Sequence, residues 1–383
     1  MPAKVMLIAG EASGDLHGGK LVAALRHQKP NLELFGVGGD QMAAAGMELY
    51  YHVNDLAYIG FVEVVRHYFY FRRIFNHLLE VVQERKPDIV VLIDYPGFNL
   101  RFAQAVKKRG VGTFYYIAPQ VWAWGQGRAE KMARFIDQMA VLFDFEVDFF
   151  SRYNLKTTFV GHPLLEGMEV RLSRAEFMAH YGLSDDRPIL ALVPGSRNQE
   201  VKNLLPPLLE TAAIIRQNHP ELQIVASQAA TVAPHHLDTL MAGYPWVIPI
   251  RGDYYELLRY ATAGLVASGT ATLEAACSHL PFALVYKVSP LSFAIGKRVV
   301  RIPRIGLVNI VAGEEVVPEF LQEKVSPELL APAVAELLFN PEVRARMIAD
   351  LKGVSQRLGR AGASAATARL VIDQLHLPQS ETI

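Results

Sequence analysis

Cysteine is almost absent from this chain: Cys277, within "TLEAACSHL", is the single one in 383 residues. One thiol can neither close an internal disulfide nor build a cysteine zinc site, so the position reads as a small buried helix residue. Net charge is missing as well, because 38 Lys and Arg balance 38 Asp and Glu. A nucleic-acid partner, which needs a basic surface or stripe, is not expected. Long apolar runs are lacking too. The longest uncharged stretch, "GVGTFYYIAPQVWAWGQG", contains proline, glutamine and glycine that break a spanning helix, so membrane contact is expected to be peripheral. No His, Cys or carboxylate cluster has metal-ligand spacing, and neither a metal nor a cofactor is expected. The pair His235–His236 reads as a solvated helix start. The opening "MPAKVMLIAGEASG" resembles a first β-strand more than a signal peptide, which predicts a reducing, cytoplasmic location.

What is present is alternation. "KVMLIAG", "DIVVLID", "TFYYIAP" and "QMAVLFD" are apolar at nearly every position, as strands buried on both faces are. Helix-like segments lie between them, such as Leu16 to Gln28 and Asn99 to Arg109. The pattern breaks over Gly161 to Pro188 and then resumes with "ILALVPG", "LQIVAS", "WVIPIRG", "AGLVASG" and "PFALVYK". It predicts two α/β domains, each a doubly wound parallel sheet, and an all-helical tail beyond Ser326. In such sheets ligands sit beyond the carboxyl ends of the strands, so the loops that follow strands are the candidates for chemistry.

Five loops stand out. In "IAGEASGDLHGG" the spacing is not G-x-G-x-x-G, so the dinucleotide fingerprint fails. Glu11 and Ser13 are candidate site residues there, Asp15 could instead serve as a helix N-cap, and His17 could line the site or lie on the first helical turn. In "VVLIDYPGFNLRFA", Asp94 closes a buried strand. A carboxylate so placed is partly desolvated, which raises its pKa and suits a proton acceptor; the alternative is a structural cap. In "LALVPGSRNQEVKNLL", Arg197 stands at a helix N-terminus, a phosphate site by charge and dipole, or is simply a surface arginine. In "VASGTATLEAA", Ser268, Gly269 and Thr270 form a small-residue turn opening a helix whose N–H groups can cradle a diphosphate. Glu274, one turn further in, can accept bonds from ribose hydroxyls. The absence of a P-loop lysine favours a nucleotide sugar over ATP phosphoryl transfer. In "YIAPQVWAWGQGRAEKMARF", Trp122 and Trp124 could stack on a sugar or be core residues, and Arg128 begins a basic helical spacing.

Taken in order, "GEASGD", "IDYPGFN", "PQVWAW", "VGHPL", "PGSRNQEV", "ASGTATLE" and "NIVAGEEVVPEFLQ" resemble the lipid-A-disaccharide synthase family over nearly the whole chain. Val308 departs from the proline expected before Asn309. The resemblance implies the two-domain GT-B architecture, two Rossmann-like domains facing across a cleft, with C-terminal helices. Residues 1–165 would take the acceptor and the membrane, 166–350 the UDP-sugar, and 351–383 would pack back on an N-terminal domain of the same chain or of a partner in a homodimer. It also implies the reaction: UDP-2,3-diacylglucosamine and 2,3-diacylglucosamine 1-phosphate give UDP and a β-1,6-linked disaccharide, with inversion. Asp94 would then be the base. Arg197 and the Ser268–Thr270 turn would hold the diphosphate, Glu274 the ribose, and Glu11, Ser13 and Asn309 the sugars or the diphosphate. Trp122, Trp124 and Arg128 would face the acceptor.

Both substrates of that reaction carry acyl chains, which gives a reading to "HYFYFRRIFNHLL". Ile59, Phe61, Phe69, Phe71 and Phe75 would enter the acyl boundary of an anionic membrane, with Arg72 and Arg73 at its headgroups, on the cytoplasmic face of the inner membrane. The alternative is a helix pair whose aromatics pack on each other. A UDP-sugar 2-epimerase of the same fold is the rival function, and it has no use for such a patch.

Overall fold

The computed structural model describes residues 2–57, 64–123, 125, 127–289, 293 and 304–376. The chain divides into two units: residues up to Glu166 together with the segment from Gly359 onward, and Gly167–Leu358. The first unit holds β1 (Lys4–Ala9), β2 (Glu33–Gly38), β3 (Glu48–His52), β4 (Ile89–Ile93), β5 (Gly112–Tyr116), β6 (Gln138–Val141) and β7 (Thr157–Phe159). They pair in the order β3-β2-β1-β4-β5-β6-β7, every pair parallel. The second unit holds β8 (Ile189–Val193), β9 (Gln223–Ser227), β10 (Val247–Ile250), β11 (Ala263–Ala267), β12 (Phe282–Tyr286) and β13 (Glu319–Leu321). Their order is β10-β9-β8-β11-β12-β13, again all parallel.

The reason is legible in the side chains. Strands such as β4, "IVVLI", and β8, "ILALV", are buried at every position, which only a sheet covered by helices on both faces allows. The sequence pattern misses β2, β3, β7 and β13. Two glycines interrupt the apolar run of β2. The other three lie at sheet edges and are half-buried, so they carry no continuous apolar signal.

In each sheet the winding reverses once, between β1 and β4 and between β8 and β11. At such a switch point the loops diverge to opposite faces and leave a crevice at the carboxyl ends. The loops carrying Glu11, Ser13 and Asp94 follow β1 and β4. Those carrying Arg197 and Ser268–Thr270 follow β8 and β11.

The tail splits between the units. The helix Pro341–Arg357 packs on the helices Thr270–Cys277 and Leu307–Ala312 of the second unit. The helix Ala363–Leu375 returns to the first unit and lies along the helix Ala12–Gln28. Gln28 Nε2 donates to the Ala365 carbonyl at 2.9 Å, and Glu166 accepts from both Ser364 N and Oγ at 2.9 Å. Cys277 ends its helix half-buried, its thiol pushed up to about 11 by burial.

Candidate active site

In the first unit the site is built on strained backbone. Asp94 and Tyr95 both adopt left-handed conformations, φ 46° and 47°, which non-glycine residues hold only when their surroundings over-determine them. Those surroundings are specific. The Asp94 carbonyl accepts from the Tyr115 hydroxyl at 2.6 Å and from Asn99 Nδ2 at 2.8 Å. Asn99 Nδ2 also reaches the Ile93 carbonyl at 3.1 Å, and Asp94 N donates to Tyr116 O at 3.0 Å. Pro96 then starts the helix Pro96–Lys107. The Tyr95 ring lies over Gly10 so closely that a Cβ there would stand 2.1 Å from it. Glycine at that position is what lets the loops after β1 and β4 touch.

With its backbone held, Asp94 is left half-buried. Burial, with the Glu11 charge nearby, pushes its carboxyl up to about 6. Glu11 is the N-cap residue of the helix Ala12–Gln28 and accepts from Ser13 Oγ at 2.9 Å. Asp15 does not cap this helix. Its carboxylate accepts instead from Gly39 N, Gln41 N and Met42 N, and so caps the next helix, Asp40–Ala44. His17 lies on the helix Ala12–Gln28. Its Nδ1 is buried without a hydrogen bond, and burial, then the Lys20 charge, holds its imidazole below the usual histidine range. Asn99 and Tyr115 are positioning residues that sequence reading missed, since an asparagine on a helix and a tyrosine within a strand carry no local signal.

Two expectations in this unit are corrected. Trp122 is buried at 7% exposure, edge-on to Phe145, and its Nε1 donates to Glu146 at 3.0 Å. Glu146 also accepts from Leu142 N and Phe143 N, and burial lifts its carboxyl to about 7. Trp122 therefore anchors a loop and offers no face to a sugar. Arg128 is exposed at the start of the helix Gly127–Met132, and Trp124 lies outside the described residues. The aromatic run is likewise divided by the helix Val64–Arg85. Ile74 and Leu78 are buried, and Phe71 and Phe75 pack on the core beside them. Phe75 meets Phe98 and Phe102 edge-on, at 5.5 Å between centroids in each case. Phe71 and Phe75 thus belong to the core face, as the i, i+3, i+4, i+7 spacing of a helix dictates. Phe69 is 75% exposed, next to Arg72 and Arg73, which are exposed as well. Ile59 and Phe61 lie outside the described residues.

In the second unit the loops after β8, β9, β10 and β11 enclose a cavity of about 820 Å³, a volume suited to a nucleotide. Arg197, Ser268, Gly269, Thr270 and Glu274 all line it. Gly269, at φ +132°, turns the chain into the helix Thr270–Cys277, whose first N–H groups have no intrahelical partner. Glu274 is half-buried, and each oxygen accepts a tyrosine hydroxyl: Oε2 from Tyr254 at 3.0 Å and Oε1 from Tyr255 at 3.2 Å. Burial raises its pKa and these two bonds oppose the rise. Arg197 is the N-cap residue of the helix Asn198–Asn218, its side chain 80% exposed. Glu200 accepts from Arg197 Nη1 at 2.6 Å and from Ser196 N and Arg197 N at 3.2 and 3.3 Å. A carboxylate thus already engages this helix start. Gln228, Arg251, Tyr254 and Tyr255 carry no signal in the sequence because the groups they meet come from other elements of the unit.

Asn309 is not in the cavity. It is fully buried, with Nδ2 donating to Val317 O and Glu319 Oε1 and Oδ1 accepting from Val316 N and Val317 N. Glu319 also accepts from Ile305 N and Gly306 N. This amide is satisfied on both sides, so it organises the segment around Val308 and has no capacity left for a ligand.

Two doubly wound parallel-sheet units in one chain define the GT-B fold class. The fold agrees: a UDP-GlcNAc 2-epimerase of Neisseria meningitidis superposes with TM-score 0.60 at 12% identity, over 97% of this chain and 100% of that one. A calicheamicin glycosyltransferase gives 0.60 at 15% identity over 98% of both chains. At such identities the likeness is one of fold alone. Sequence separates the two activities. The family model described as lipid-A-disaccharide synthetase matches residues 5–368. The lipid-A-disaccharide synthase of Trichlorobacter lovleyi is 42% identical, covering 98% of each chain, and that of Coxiella burnetii strain Dugway 40%, covering 96% and 97%. The chain belongs to the lipid-A-disaccharide synthase family and is a glycosyltransferase.

Proposed function

We propose that the chain moves 2,3-diacylglucosamine from UDP to the 6-hydroxyl of 2,3-diacylglucosamine 1-phosphate. The products are UDP and the β-1,6-linked disaccharide 1-phosphate. The observation that supports this most directly is Asp94: a desolvated carboxyl near pKa 6 on a clamped turn, matched to accepting a proton close to neutrality. In one displacement the acceptor O6 gives its proton to Asp94 and forms the bond to the donor C1. The C1–O bond to UDP breaks with its electron pair, and the α-linked donor becomes a β product. Negative charge builds on the leaving diphosphate. The Arg197 guanidinium and the N–H groups of Gly269 to Ala271 are suited to stabilise it, while Glu274, oriented by its tyrosines, accepts from the ribose.

The acyl chains of both substrates point to the surface on which the enzyme works. No helix among the described residues is long and apolar enough to cross a membrane. Phe69 beside Arg72 and Arg73 suits peripheral contact with an anionic cytoplasmic leaflet, by insertion of the ring and attraction of the charges.

The test is UDP release from UDP-2,3-diacylglucosamine with and without the acceptor. Release only with acceptor is expected. Isomerisation of the sugar without acceptor would replace this reading with an epimerase, which at present has only the fold in its favour.

A further inference from the structure

One wall of the nucleotide cavity has no role in the reaction as described. Arg251 follows β10 and lines the cavity together with Gln228, which follows β9. The arginine is held at one edge: Nε donates to Gln228 Oε1 at 2.7 Å and Nη2 to Asp238 Oδ1 at 2.8 Å. Gln228 is fixed in turn, with Nε2 donating to Val232 O at 2.9 Å and its backbone N to Ile250 O at 2.9 Å. These bonds use Nε and Nη2, on one edge of a half-exposed side chain, and Nη1 lies on the other edge. A planar guanidinium pre-set in this way is a directional donor.

Position supplies the rest. The diphosphate loops follow β8 and β11, and β10 lies three strand spacings from β11. That separation is about 14 Å at the usual interstrand distance, the reach of a nucleoside diphosphate. Glu274, the ribose acceptor in the reading above, lines the same cavity. A nucleotide with its phosphates at Gly269 therefore directs its base toward Gln228 and Arg251. We infer that Arg251 reads the base, donating to the O4 carbonyl of uracil and rejecting cytosine. Cytosine places an amino donor at that edge, and a donor facing a guanidinium leaves both without an acceptor.

This inference rests on the nucleotide reading of the cavity, and the experiment separates the two. Calorimetry on the full chain compares UDP with CDP for the parent, Arg251→Met and Arg251→Gln, with a melting curve to verify folding. The parent is expected to prefer UDP by about ten- to a hundredfold, the range of a charge-assisted hydrogen bond. Arg251→Met should lose UDP affinity by that factor and leave CDP nearly unchanged. Arg251→Gln, whose amide can donate to uracil or accept from cytosine, should bind both nearly alike. A parent that binds no UDP would remove both readings. A parent that binds UDP, with its UDP-to-CDP ratio retained in either folded variant, would overturn the role of Arg251 alone.

Discussion

Asp94 and Glu274 are both carboxylates close to the carboxyl end of a central strand, both half-buried, and both with a pKa raised by desolvation. Their surroundings differ in one respect. Glu274 has a tyrosine hydroxyl on each oxygen. Around Asp94 the tyrosine and the asparagine bond the backbone carbonyl, and at the carboxylate burial and the Glu11 charge outweigh the one opposing donor, the Tyr95 backbone N–H. Donors on the side chain stabilise the anion and fix it as an acceptor, whereas donors on the backbone fix the position and leave the group basic. One arrangement suits binding and the other suits proton transfer.

The largest expected effect breaks the comparison at Asp94. Asp94→Asn should keep UDP binding and lose about a hundredfold or more in turnover, the scale of a general base. In the parent, kcat/KM should rise through an apparent pKa near 6 as the carboxyl ionises, and the variant should lose that limb. Near-parental turnover by a folded Asp94→Asn enzyme would remove the base assignment.

The second unit responds in affinity. Arg197→Ala should weaken UDP about tenfold and uridine hardly at all, because the charge acts on the diphosphate. Glu274→Ala should weaken both alike, about tenfold, through the ribose. Equal losses of uridine and UDP in the arginine variant, measured by calorimetry, would contradict a diphosphate role. The exposed pairing of Arg197 with Glu200 predicts that its effect shrinks as salt rises.

A smaller effect concerns stability, and its sign follows from linkage. The folded-state pKa of Asp94 lies above the unfolded value, so the folded protein holds the proton more tightly between about pH 4 and 6. This contribution to stability is present at low pH and is lost as pH rises through about 6. Asp94→Asn removes that loss and should be more stable than the parent above pH 7, by about 1 to 2 kcal/mol. Tyr254→Phe should move the other way, by about 1 kcal/mol, because it takes a donor from a half-buried carboxylate. Melting curves at pH 5 and pH 8 separate these outcomes; an Asp94→Asn variant equally or less stable at pH 8 would mean that the carboxylate is solvated.

How much of this was readable beforehand depends on whether the signal is local. The fully buried strands announce themselves as unbroken apolar runs, and the turns after β1, β4, β8 and β11 as small or acidic residues following them. Asn309 shows the limit. In sequence it is a polar residue in a loop, and only the fold reveals that Val316, Val317 and Glu319 consume its amide. Arg251 and Gln228 are the reverse: unremarkable in sequence, they converge on the cavity because β9 and β10 are neighbours. Partners supplied by other strands have no spacing to read.

The smallest expected effect returns to the helix Val64–Arg85, where the same residue type meets two fates. Phe75 packs on Phe98 and Phe102, whereas Phe69 is 75% exposed. Full burial of a phenylalanine is worth about 1.5 to 3 kcal/mol, and a ring entering only the headgroup boundary realises a fraction of that. Phe69→Ser should therefore lower binding to anionic vesicles by about threefold and leave the melting temperature unchanged, since surface substitutions move stability little. Replacing Arg72 and Arg73 with glutamine should weaken the same binding most at low salt, and little on neutral vesicles. Vesicle sedimentation at two salt concentrations, with a melting curve on each variant, measures both. If Phe69→Ser lowers the melting temperature and leaves sedimentation as it was, the ring is part of the fold and the membrane contact lies elsewhere.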